Sequence, residues 1–181
     1  MFSYLTYGVE AWGSACQTDL SKINVLQNKA VRIITGNQYF QIYGEPPGPL
    51  PSADPLFKEL KFLRFHDIYN FSIGKFVYLT LCKFSPQIFH DWFKYTHEIH
   101  SHGTKSSVII SQNNIFDPGI LWNTYTLFTR QCNLENYGKK MIHVSGPLIW
   151  NDIPYSIQDS ISISTFKSYL KEHYIEKYSV S

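Results

Sequence analysis

The chain has 181 residues, 44% of them hydrophobic and 17% aromatic, with a formal net charge of +2. That length holds one medium domain or two small helical lobes, and so much apolar material excludes a disordered tail. The near-neutral balance excludes a strongly basic nucleic-acid binder, so any positive footprint has to come from local clustering. Three cysteines, Cys16, Cys82 and Cys132, are odd in number and form no CxxC pair. They indicate neither a disulfide framework nor a zinc ribbon, and the expected compartment is reducing and intracellular, nucleus or cytoplasm. The N-terminal stretch lacks a basic region and carries Glu10 among its apolar residues, which argues against a secretory leader. No run approaches the ~18 apolar residues of a membrane span, so no membrane partner is expected.

In chain order, residues 3–15 read as the end of a helix, apolar at Leu5, Val9 and Trp12. A longer helix is predicted from Thr18, as N-cap, to Gly36 at its C′ position. Within it Leu20, Ile23, Leu26, Ala30, Ile33 and Ile34 share one side, while Lys22, Lys29 and Arg32 share another. Residues 43–54, YGEPPGPLPSAD, place Pro46, Pro47, Pro49 and Pro51 close together and read as an extended linker. Asp54 and Pro55 offer an N-cap and N1 pair for the next helix. An aromatic-rich helix is expected over 65–83, and Ser85-Pro86 opens a short one over 85–98 with Ile88, Trp92 and Tyr95 apolar.

From His100 to Phe128 the periodicity dissolves, with SSVIIS a candidate strand and NNIFDPG a turn cluster. Residues 139–144, KKMIHV, suit a short strand that Gly146-Pro147 stops. The terminal helix is expected to start at Ser162 or Ser164, with Phe166, Tyr169, Leu170 and His173 on one face. The predicted fold class is mainly α: a helical bundle-like part plus a small α+β C-terminal module with a short strand or hairpin. The expected organisation is a helical segment over 1–42, the linker 43–54, a helical segment over 55–99, an irregular region over 100–135 and the module 136–181.

Catalytic constellations are not found. The glycines are scattered singly, GxSxG is absent, and none of the aspartates (19, 54, 67, 91, 117, 152, 159) forms an Asp-Asp pair. No catalytic residue and no cofactor is therefore assigned. His97, His100 and His102 have ligand-like spacing but no fourth ligand nearby, so they read as histidines at a solvated helix end rather than a metal site. The basic groups are Lys22, Lys29 and Arg32; Arg130, Lys139 and Lys140 around a Tyr137-Gly138 turn; and Lys167 with Lys171 one helical turn on. Such spacing can follow a phosphate backbone, but it equally suits the solvated faces of amphipathic helices, which the residues alone favour. In GPLIWNDIP, residues 146–154, Trp150 is expected to pack against Phe166 and Leu170 of the terminal helix and the strand before it. Asn151 is expected to satisfy local backbone groups, and Trp12 to anchor the N-terminal helix.

Several phrases, in order, resemble the region downstream of the polymerase core in jockey-like non-LTR (LINE-type) retrotransposon reverse transcriptases. YGVEAWG (7–13) and LQNKAVRIITG (26–36) resemble the end of that family's thumb, and PLFKELKFLRFHDIYNF (55–71) the next helical pair. HSHGTK (100–105) is similar to a loop of the His-x-x-x-Thr-Arg type, with Lys105 in place of the arginine. NYGKKMIHVSGPLIWNDIPYSIQDSISISTFKSYLKEHY (136–174) resembles the C-terminal module most closely. Residues 43–54 and 116–128 are longer than the family's usual connections. The resemblance implies a thumb remnant and C-terminal module of an RNA-directed DNA polymerase, without the palm aspartates or an endonuclease. It implies no activity of its own, contact with the backbone of RNA or DNA, and the missing polymerase domains as partners. A remnant frame without independent activity, or a host interaction module, is the alternative.

Overall fold

In the computed structural model the chain is described over residues 5–35, 52–99, 126–130, 132 and 140–179. The helices are α1 (Val9–Trp12), α2 (Gln17–Ile34), α3 (Asp54–Glu59), α4 (Phe65–Leu81), α5 (Thr96–Ile99), α6 (Ile142–Asp152), α7 (Tyr155–Gln158) and α8 (Ile163–Glu176). Short 3₁₀ turns cover Gln87–Phe89 and Lys177–Ser179. The fold is mainly α. The SSVIIS and NNIFDPG segments, His100 and His102, and most of the proline-rich linker lie outside the described residues. The chain divides into two compact units, one of residues 1–72 with 168–181 and one of residues 73–167.

In the first unit, α2 begins at Cys16 rather than at Thr18, whose hydroxyl turns back to the Cys16 Sγ at 3.2 Å. Its inward side is also not the one the aliphatic spacing suggests. Gln27 and Val31 are buried, while Leu26, Ile33 and Ile34 are exposed. The reason is hydrogen bonding. Gln27 Nε2 donates to the Leu63 carbonyl at 2.9 Å, and the Phe65 N–H donates to Gln27 Oε1 at 2.8 Å. One amide thus satisfies two buried backbone groups of the link between α3 and α4, which an aliphatic residue would leave unpaired.

Trp12 stacks on Phe65 with centroids 5.2 Å apart, and its Nε1 donates to the Tyr7 carbonyl at 2.8 Å. The expected helix over 3–15 is interrupted at Gly8, whose φ of 61° only glycine adopts without strain. α3 is preceded by Ala53 rather than capped by Asp54, and the Asp54 N–H instead finds the Ser52 hydroxyl at 3.2 Å. Phe57, Val31, Ala53 and Tyr178 form a buried cluster, which Leu56, Leu60, Phe62 and Ile175 flank. The Tyr178 hydroxyl accepts the Arg64 N–H at 2.9 Å and donates to the Asp67 carboxylate. Arg64 pairs with Asp54 and lies over the Phe57 ring at 5.4 Å. The end of the chain is thereby tied to the start of α4.

α3 and α4 both end without glycine. The Phe62 N–H reaches the Phe57 carbonyl at 2.9 Å, and the Phe84 N–H reaches the Leu79 carbonyl at 2.8 Å. These are six-to-one closures of the Schellman kind, with Lys61 and Lys83 in the left-handed position at φ 51° and 60°. A side chain there costs on the order of 1 kcal/mol, so the closing bonds and packing outweigh local preference.

In the second unit, the strand expected over 139–144 is replaced by helix: α6 starts at Ile142 and continues through Gly146 and Pro147. Gly146 is not a stop signal but a close-packing position. A Cβ there would meet Phe93 Cε1 at 2.9 Å and Val77 Cγ2 at 3.2 Å. Among the described residues, extended pairing is limited to an isolated antiparallel bridge between Tyr95 and Leu127. Residues 85–98 form a 3₁₀ turn and the separate α5 rather than a single helix. The core holds Ile73, Val77, Tyr78, Phe93, Val144, Trp150 and Phe166. Trp150 stacks on Phe166 at 5.9 Å, and Phe166 on Tyr78 at 4.5 Å. Asn151 reaches beyond local backbone: its Oδ1 accepts the Leu127 N–H at 2.8 Å and its Nδ2 donates to the Leu127 carbonyl at 3.0 Å. The side-chain amide therefore takes the place of a neighbouring strand. Ser162 caps α8, accepting the Thr165 N–H at 3.2 Å.

Candidate nucleic-acid interface

In the first unit, Lys22 and Lys29 lie on the exposed face of α2, with Arg32 half-buried at its edge. Lys22 pairs with Asp19 at 3.1 Å, and both are so exposed that the pair contributes under about 1 kcal/mol. The same face carries Val25, Leu26 and Ile33, the last 73% exposed. It is a mixed aliphatic and basic surface, not a purely cationic stripe. On α8, Lys167 and Lys171 are both exposed and one turn apart. Lys139 lies outside the described residues. Of the anchors, Leu170 is fully buried, but Tyr169 of the expected apolar face is 51% exposed, and Tyr174 is buried in its stead.

In the second unit, Arg130 and Lys140 stand on segments that adjoin the one carrying Trp92. Residues 94–96 and 126–128 pair antiparallel, with Thr96 N–H on the Thr126 carbonyl and Phe128 N–H on the Lys94 carbonyl, each at 2.9 Å. Lys94 and Phe128 are therefore opposite one another, and two residues further along each segment stand Trp92 and Arg130. Lys94 and Arg130 are exposed. From the other side, the His143 ring in the first turn of α6 meets Trp92 at 6.3 Å, and half-buried Lys140 precedes that turn.

Trp92 is 40% exposed although it touches three other rings. Phe89 meets it at 4.8 Å and 87°, Phe76 at 6.3 Å and 68°, and His143 at 81°. All three rings meet the indole at steep angles, and none of the three lies parallel to it. The 3₁₀ turn that sets this geometry closes with the His90 and Trp92 N–H groups on the Gln87 and Phe89 carbonyls. Asp91 and Glu98 are exposed carboxylates of the same stretch, and Glu98 Oε2 accepts the Tyr95 N–H at 3.0 Å.

From the sequence, Trp92 counts among the apolar repeats of a short helix over 85–98, and no role is assigned to Lys94 or His143. The available signal was the break at Ser85-Pro86 followed by large rings too closely spaced to be covered by one short helix. Among the described residues, no three His, Cys, Asp or Glu side chains are grouped to hold a metal ion, and no helix is long and apolar enough to cross a membrane. His97 stacks on Tyr95 at 5.6 Å. Comparison with family models, with curated proteins and with solved structures finds no match to this chain.

Proposed function

We propose that the chain is a non-catalytic, nucleic-acid-contacting region of the kind that follows the polymerase core in jockey-like non-LTR retrotransposon reverse transcriptases. The observation that carries the reading is the exposed Trp92 of the second unit, with Lys94 two residues on, Arg130 on the segment that pairs with Lys94, and Lys140 before the helix turn whose His143 ring meets the indole. The ordered phrases of the sequence and the mainly helical fold support it. Lysine and arginine side chains presented in this way neutralise phosphates and release counterions, which binds without reading sequence.

α2 supports a second role. Val25, Leu26 and Ile33, exposed between Lys22 and Lys29, suit packing against the polymerase domains of a longer protein, with the lysines and Arg32 at the rim.

Fluorescence anisotropy of labelled RNA and DNA oligonucleotides, titrated with the full chain between about 50 and 200 mM salt, tests the proposal. Three phosphate contacts to a single strand predict a log–log slope of roughly −2. No binding at the lowest salt, or binding indifferent to salt, would overturn it.

A further inference from the structure

Cations alone would serve a duplex as well as a single strand. The surface around Trp92 has a second component, which bears on the choice between them. Duplex DNA and RNA keep their bases stacked inside and offer phosphates and groove edges; only an unpaired strand offers a free aromatic face. An exposed indole beside a row of cations matches the unpaired strand on both counts, because the charges follow the backbone while the ring receives a base.

Three features of Trp92 fit that task. It is held in place, since Phe76, Phe89 and His143 meet it at steep angles and restrict its rotation. It is accessible, at 40% exposure. Lys94 stands two residues on in the chain, its carbonyl accepts the N–H of Phe128 on the segment that carries Arg130, and the His143 contact links the ring to the helix turn that Lys140 precedes. A surface tryptophan immobilised by other rings has already lost its rotamer freedom, so stacking a base on it costs little further entropy. Ile88, 76% exposed in the adjoining turn, extends the apolar surface beside Phe89.

We infer that the second unit binds single-stranded RNA or DNA in preference to duplex, with Trp92 as the stacking surface for an unpaired base and Lys94, Arg130 and Lys140 along the backbone. This rests on the reading of the same surface as a phosphate-contacting one, and the two fail differently. The full chain is titrated against labelled oligothymidine, oligouridine and a duplex of equal length, each between about 50 and 200 mM salt.

The single strands should bind more tightly than the duplex. Trp92→Ala should weaken single-strand binding about tenfold and duplex binding much less, so that the preference for single strands is lost. Trp92→Phe, which keeps a ring and most of the packing, should retain most of the affinity. The double variant Lys94→Ala/Arg130→Ala should weaken both forms and flatten the single-strand slope by roughly 1.4.

Equal affinity for the two forms, or Trp92→Ala binding single strands like the parent, overturns the stacking inference while the backbone reading stands. Trp92→Phe falling as far as Trp92→Ala, with an unchanged thermal melt, also overturns it, because a ring at that position would then not suffice. Absence of binding to every oligonucleotide at low salt sinks the backbone reading and this inference together.

Discussion

The Tyr178 hydroxyl stands between the Arg64 N–H, which it accepts at 2.9 Å, and the Asp67 carboxylate, to which it donates. Burial and that carboxylate hold its proton far above the ordinary pKa of 10.0. A folded-state pKa raised in this way means that the stabilisation is complete below pH ~10 and drains away as the pH climbs toward the folded value. Tyr178→Phe leaves Asp67 and the Arg64 N–H without this partner and should cost about 1–3 kcal/mol at neutral pH. In urea melts, the gap between parent and variant should narrow above pH ~10; a gap that is constant or widens contradicts this role. Tyr178 was not legible in the sequence, because a tyrosine near a chain end carries no sign of a partner more than a hundred positions away. Trp12, Trp150 and Phe166 were legible, since large rings at helical spacing have few places to go except against one another. Trp92 is an apolar repeat in the sequence, and in the structure it meets Phe76, Phe89 and His143 yet stays 40% exposed.

Helix positions followed from the sequence more surely than helix faces or ends. α2, α4 and α8 lie close to where periodicity places them, and Ser162 caps as its side chain allows. The inward side of α2 was lost because a glutamine, Gln27, takes the place of an aliphatic residue. Gln27→Met keeps the length and removes both hydrogen bonds, and it should destabilise the first unit by at least about 2 kcal/mol in a denaturant melt. Leu26→Ser, on the exposed side of the same helix, should be nearly neutral. The opposite ranking would restore the aliphatic stripe as the buried face. The strand expected at 139–144 failed because Gly146-Pro147 was taken as punctuation. Glycine there admits the Phe93 ring, and α6 carries the proline at the cost of one backbone bond. The ends of α3 and α4 were blurred because lysines, not glycines, occupy their left-handed closing positions.

At the scale of the whole molecule, the net charge is only +2, and the proposed surface is a local grouping on adjoining segments rather than a general positive field. Its cations lie far apart in sequence, and what gathers them is a short antiparallel pairing and one ring contact, neither of which has a periodic signature. Arg130 and Lys140 were therefore legible as basic residues but not as neighbours of Trp92. The account predicts that bound nucleic acid covers this one surface and leaves the exposed face of α2 open. Hydrogen–deuterium exchange of the full chain, with and without a saturating oligouridine, tests this most directly. Slowed exchange should be confined to residues 90–99, 126–130 and 140–145. Protection confined to residues 17–34, or no protected segment despite measurable binding, would contradict it.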